Sequence, residues 1–164
     1  MSEKRLTHVD ATGRARMVDI SDKAVTRRSA TARGRVTCNA EAVQRIGSDT
    51  IAKGSVLDTA RIAGIMGAKR TSDLIPLCHP LALRHIDVEL RLDASETPGV
   101  VIEATARVEG ATGVEMEALT AVAVAALTVI DMIKAVDHWA TITDVTLVHK
   151  EGGRSGSLDR PESS

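Results

Sequence analysis

A chain of 164 residues, 43% of them hydrophobic, fits one domain with a real core, yet that core lacks Phe and Tyr and contains one aromatic, Trp139. A formal net charge of −1 supplies no field for recruiting a polyanion, and the missing aromatic platforms disfavour nucleic-acid binding. Two cysteines, Cys38 and Cys78, make no disulfide framework, and no apolar segment follows Lys4 and Arg5, so a reduced, cytoplasmic chain without a secretory signal is expected.

Residues 1–164 read as a single domain, with residues 1–29 as a polar, extended N-terminal arm. Ala32, Val36 and Cys38 alternate with Arg33, Arg35 and Thr37, which predicts a strand near 31–38. A short helix over Ala40–Ile46 stops at Gly47. Ser55 stands three residues before Asp58, a capping-box-like start for a helix running to about Ala68. In that helix Ala60, Ala63, Gly64 and Gly67 permit close approach of a neighbour.

Ile86, Val88, Leu90 and Leu92 then alternate with charged residues, and Val100, Ile102, Ala104, Ala106 and Val108 repeat the pattern. With Ala94–Gly99 as the turn, this is a hairpin with one wet face. A long helix follows, from about Val114 to Val136, spanning roughly 35 Å. Between Ala118 and Ile130 its only polar residues are Thr120 and Thr128, so burial nearly all round is expected. That apolar run is shorter than the roughly 20 residues a membrane span needs. Val145 and Leu147 mark a last strand ending near Lys150, and residues 151–164 form a Gly/Ser-rich tail expected to be mobile without a ligand. The order β, α, β, β, α, β is that of an α+β, ferredoxin-like sandwich, with an antiparallel sheet, helices on one face and the other face free for a second subunit.

Chemistry-bearing residues fall in four places. Asp131 and Lys134 project from one helix face as the first charges after the dry run. A surface ion pair at a helix end accounts for the spacing; so does a half-desolvated acid and base. In Leu74–Leu81, Pro76 and Pro80 hold Leu77, Cys78 and His79 in a rigid loop, where the adjacent Cys and His lack the spaced pairs of a zinc motif; no metal is expected. Glu115, Met116 and Glu117 open the long helix, where glutamates favour the dipole or serve a ligand. Lys150 and Arg154 flank glycines able to aim amides at an anion, without the pattern of an ATP-binding P-loop. Lys53 and Lys69 add cations on either side of the first long helix.

The strings LTHVDATGRARMVDIS, KGSVLDTARIAGIMGAKRTSDLIPLCHPL, GVEMEALTAVAVAALTVIDMIKAV and KEGGRSG, in this order from Leu6 to Gly156, closely resemble the MoaC family. The resemblance implies a cyclic pyranopterin monophosphate synthase of molybdenum-cofactor biosynthesis. It would convert 3′,8-cyclo-7,8-dihydro-GTP, made from GTP by an upstream radical-SAM partner, with loss of pyrophosphate. It further implies a ferredoxin-like subunit assembled as a homohexamer, a trimer of dimers with active sites at subunit interfaces, and requires no cofactor. Carried onto this sequence, the catalytic aspartate and lysine fall on Asp131 and Lys134, and the substrate contacts on Leu77, Cys78, His79, Met116 and Glu117 with Glu115 beside them. Basic positions fall on Lys53, Lys69 and Lys150, and Arg154 stands where a lysine is frequent. His79 is expected to assist proton transfer. The competing readings are a non-catalytic, ferredoxin-like small-ligand-binding regulatory module and a purely structural assembly subunit.

Overall fold

The computed structural model describes residues 12–161. The first part of the expected arm, including Leu6–Ala11 of the family-like string, and Glu162–Ser164 of the tail lie outside them. In chain order the elements are β1 Thr26–Thr37, α1 Ala40–Gly47, α2 Val56–Lys69, a single helical turn α3 Thr71–Leu74, β2 His85–Asp93, β3 Gly99–Gly110, α4 Glu115–Ile133, β4 Thr141–Glu151 and β5 Leu158–Asp159. The sheet runs β2-β3-β1-β4-β5, every neighbour antiparallel. The expected α+β, ferredoxin-like sandwich is present, with β5 added at one edge.

Strand β1 begins earlier than its alternation indicates, because Thr26 to Ala30 continue the ladder against Gly110 to Ala106 of β3. A polar stretch becomes strand when a partner completes its hydrogen bonds, which no local pattern reports. Likewise β4 starts at Thr141 and crosses a bulge where Asp144 takes φ 56°. Ser55 is the N-cap of α2, but its hydroxyl donates to the Asp58 carboxylate at 3.0 Å rather than capping the backbone.

The helix-facing side of the sheet is lined by Ala30, Ala32, Val36, Val88, Val100, Ile102, Ala104 and Ala106, all essentially inaccessible. Its other side is polar, laced by Arg33–Glu103 at 2.6 Å, Thr31–Thr105 at 2.8 Å and Arg35–Asp93 at 2.7 Å. Helix α4 lies against the sheet where β1 has Gly34: a Cβ there would stand 2.6 Å from Val122 Cγ1. It lies equally close to α2, since a Cβ on Gly64 would stand 2.9 Å from the Ala121 carbonyl and one on Gly67 2.8 Å from Val124 Cγ2. The small residues read from the sequence therefore serve the packing expected of them.

Two expectations for α4 change. At 19 residues it is long and apolar enough to cross a membrane by length and composition, but Ala118, Ala121, Val122, Ala125, Ala126 and Val129 are sealed between the sheet and α2. Nor is it covered all round. Leu127 on α4 is 59% exposed and Ile62 on α2 60% exposed, because a single layer of helices leaves its outer surface open.

Gly64→Val tests this seating, since the new methyls meet main chain that cannot rotate aside. We expect a loss of roughly 1–3 kcal/mol in thermal or urea unfolding; an unchanged midpoint would show that the layer relaxes freely.

Candidate functional site

One end of the helical layer holds a cavity of about 420 Å³. Helix α4 supplies Glu115, Met116 and Glu117 from its first turn, the loop after α3 supplies Leu77, Cys78 and His79, and β4 supplies Lys150. Val18, Ile20 and Lys23 of the N-terminal segment close one wall. A second cavity shares Lys23, Glu115 and Lys150 and adds Arg28 and Arg154. The two form a continuous cleft in which His79 and Glu117 line only the first part, Arg28 and Arg154 with Asp22 only the second, and Lys23, Glu115 and Lys150 both.

The electrostatics follow from burial and pairing. Glu117 is 4% exposed, and that burial pushes its carboxyl above the usual range, with the charge of Glu115 adding to the rise against a backbone hydrogen bond. Burial would raise Glu115 as well, but Lys150 Nζ donates to its Oε1 at 2.5 Å. That hydrogen bond, with a backbone bond and the charges of Lys150 and Arg28, brings the net shift below the usual range. Glu115 and Glu117 are thereby split, the first shifted below the usual carboxyl range and the second above it. Gly113 makes the fold of Glu115 feasible, since a Cβ there would collide with its carboxylate.

His79 Nε2 lies 2.8 Å from the Val18 carbonyl oxygen. A carbonyl only accepts, so Nε2 carries the hydrogen and Nδ1 of the neutral ring is the nitrogen left to accept. Burial raises the Cys78 thiol, with the charge of Glu117 contributing, so it is held as a thiol rather than an activated thiolate. Among the described residues no three His, Cys, Asp or Glu side chains come together as a metal-binding group.

The other expected pair sits elsewhere. Asp131 and Lys134 occupy the opposite end of α4, about 24 Å along the axis from Glu115 at 1.5 Å per residue. Lys134 Nζ donates to Asp131 Oδ1 at 2.7 Å, while Lys53 Nζ donates to Oδ2 at 2.8 Å and to the Asp131 carbonyl at 2.7 Å. The carboxylate side chain is 58% and the Lys134 side chain 62% exposed. Of the two readings of this spacing, one chain by itself shows the surface ion pair at a helix end and not the half-desolvated acid and base. The hydrogen bonds from Lys134 and Lys53, with their charges, lower Asp131 to about 2. At neutral pH it is a permanent anion that orients two ammonium groups. Lys69 lines a neighbouring groove with Leu81 and His85 rather than the cleft itself.

Lys23 and Arg28 face this cleft although the sequence reading assigned them no role. The signal for them is the basic run Lys23, Arg27, Arg28 at the entrance to β1, which looks like an ordinary solvated stretch until Gly113 and Lys150 are seen opposite.

The MoaC family model matches residues 17–153. A cyclic pyranopterin monophosphate synthase of Parvibaculum lavamentivorans is 56% identical over 156 residues, covering 95% of this chain and 97% of its own length. One from Roseiflexus castenholzii is 59% identical over 153 residues, 93% of this chain and 96% of its own. One from a Nocardioides species is 53% identical over 160 residues and covers 98% of both chains.

Glu117→Gln checks the electrostatic assignment. A carboxyl raised by folding stabilises the fold below its unfolded value, near 4.5, and loses that contribution as pH climbs through its native value. The variant should therefore gain stability relative to the parent as pH rises above about 4.5, in urea unfolding followed across pH. A constant difference from pH 4 to 8 would rule the assignment out.

Proposed function

The chain belongs to the MoaC family, and we propose that its reaction is the one its relatives are named for, the synthesis of cyclic pyranopterin monophosphate for molybdenum cofactor. In our reading the substrate is 3′,8-cyclo-7,8-dihydro-GTP, delivered in the cytoplasm by a radical-SAM enzyme acting on GTP, and pyrophosphate leaves. The observation that carries this reading is the convergence of Cys78, His79, Glu117 and Lys150, remote in sequence, on one cleft.

The chemistry divides along the cleft. Rebuilding the purine-derived ring as a pterin moves protons on nitrogen and oxygen, which calls for groups that hold and release them. Glu117, whose carboxyl burial shifts above its usual range, and Nδ1 of His79 are the groups placed to give and take them. Closing the cyclic phosphate requires attack by a sugar-derived hydroxyl on the α-phosphorus, with charge building on oxygens as pyrophosphate departs. Lys23, Lys150, Arg28 and Arg154 at the cationic end would neutralise that charge, with Lys69 at its margin.

Asp131, Lys134 and Lys53 enter, in this reading, from a second subunit. The exposed Ile62, Met66, Leu74 and Leu127 of the helical layer favour assembly, for which we take a homohexamer, a trimer of dimers. Docked in a neighbour's cleft, the strongly ionised Asp131 aims Lys134 through their hydrogen bond, so in this reading Lys134 rather than Asp131 gives the proton.

Incubation with the cyclic GTP derivative should release pyrophosphate, and Lys134→Ala should slow that release by about 10²–10⁴-fold with fold and assembly retained. Unimpaired turnover by the variant would remove Lys134 from the reaction. If each site draws on two subunits, mixing Lys134→Ala with Lys150→Ala protein should restore roughly a quarter of the sites. Mixtures as inactive as their parents would mean that sites are not shared.

A further inference from the structure

The segment following Lys150 returns along the sheet. The backbone turns at Gly152, Gly153 and Gly156, all with positive φ, and makes one 3-10 turn over Gly153–Ser155. It then pairs as β5 with β4, His149 opposite Asp159 and Lys150 opposite Leu158. Two ladder pairs make a marginal strand, and side chains supplement them. His149 Nδ1 lies 2.7 Å from Asp159 Oδ1, and since a carboxylate accepts, the ring nitrogen donates. Arg160 donates its amide to the Val148 carbonyl at 2.8 Å and its guanidinium to the Thr146 hydroxyl.

The loop so closed rests on Arg28. A Cβ on Gly152 would collide with the Arg27 carbonyl, and Gly153 faces the Arg28 guanidinium at φ 70°, so glycine at 152 lets the backbone lie this near and at 153 takes the left-handed turn. Arg28 is itself anchored, donating to the Gly110 carbonyl at 2.9 Å and the Ala111 carbonyl at 3.2 Å. The loop places Arg154 on the wall of the cavity that Lys150 also lines. The alternation of β4 sends Lys150 toward Glu115 and His149 to the opposite face, where the latch with Asp159 closes.

We infer that residues 152–160 form a strap whose latch, Asp159 on His149 and Arg160 on Thr146, positions Arg154 beside Lys150 for the phosphate end of the substrate. This rests on the reading of the cleft given above. Asp159, His149 and Arg160 are positioning residues: they touch no substrate and act through Arg154. Without the latch the strap opens, Arg154 samples solvent, and binding weakens by the fraction of time it is away.

The test is a cycle between the latch and Arg154. The double substitution Asp159→Ala with Arg160→Ala is made in the parent chain and in Arg154→Ala. In the parent it should raise KM about three- to tenfold and leave kcat within about twofold, whereas in the Arg154→Ala background KM should barely move. Affinity for inorganic triphosphate, read by calorimetry, should show the same non-additivity, and amide exchange of residues 150–157 should quicken in the latch variant alone. Equal KM effects in both backgrounds, or no effect in either, would overturn the inference. Should the parent protein fail to turn over the cyclic GTP derivative, the substrate reading falls. The triphosphate cycle then decides the strap by itself, with non-additivity upholding it and additivity ending it.

Discussion

Three glycines set the position of the central helix. Gly34 on β1 and Gly64 and Gly67 on α2 leave no room for a side chain, so α4 lies directly on sheet backbone and on its neighbour helix. A core built from Ala, Val and Ile offers little area per residue, and close approach of main chains recovers dispersion contacts that larger side chains would otherwise supply. The consequence is a closely seated helix of 19 residues, and each of its ends presents a different set of functional groups.

At one end the first turn of α4 meets the rigid Pro-bounded loop, the Val18 carbonyl and Lys150. The two glutamates are separated there because Lys150 reaches Glu115 and lowers it, while burial raises Glu117. At the other end Met132 and Ile133 of the final turn stay in the core while Asp131 faces Lys53, Lys134 and solvent, the strongly ionised partner of two ammonium groups. A carboxyl thus gains proton affinity at Glu117 and loses it at Glu115 and Asp131, and the cause is whether burial or a neighbouring ammonium dominates at each.

A cleft that gathers cations beside a carboxyl of raised proton affinity suits a substrate with a polyphosphate at one end and a proton-exchanging ring at the other. The length of α4 is why one chain presents the two groups of proposed site residues about 24 Å apart. The strap adds a third contribution, since a segment with little core of its own is held by side-chain pairs on the face of β4 away from Lys150.

Much of this was legible in residue order. Alternation at Ile86–Leu92 and Val100–Val108, the dry run before Asp131, the small residues of α2 and the strings resembling one family all follow from neighbours in the chain, and periodicity is a local property. Four matters waited for tertiary structure: the start of β1 at Thr26, the strand β5, the roles open to Lys23 and Arg28, and the exposure of the Asp131–Lys134 pair. Each depends on what stands opposite a residue in space. Hydrogen-bond partners for a polar strand, walls for a cleft and water at a helix end are supplied by segments far away in sequence, and only their packing decides which residues meet.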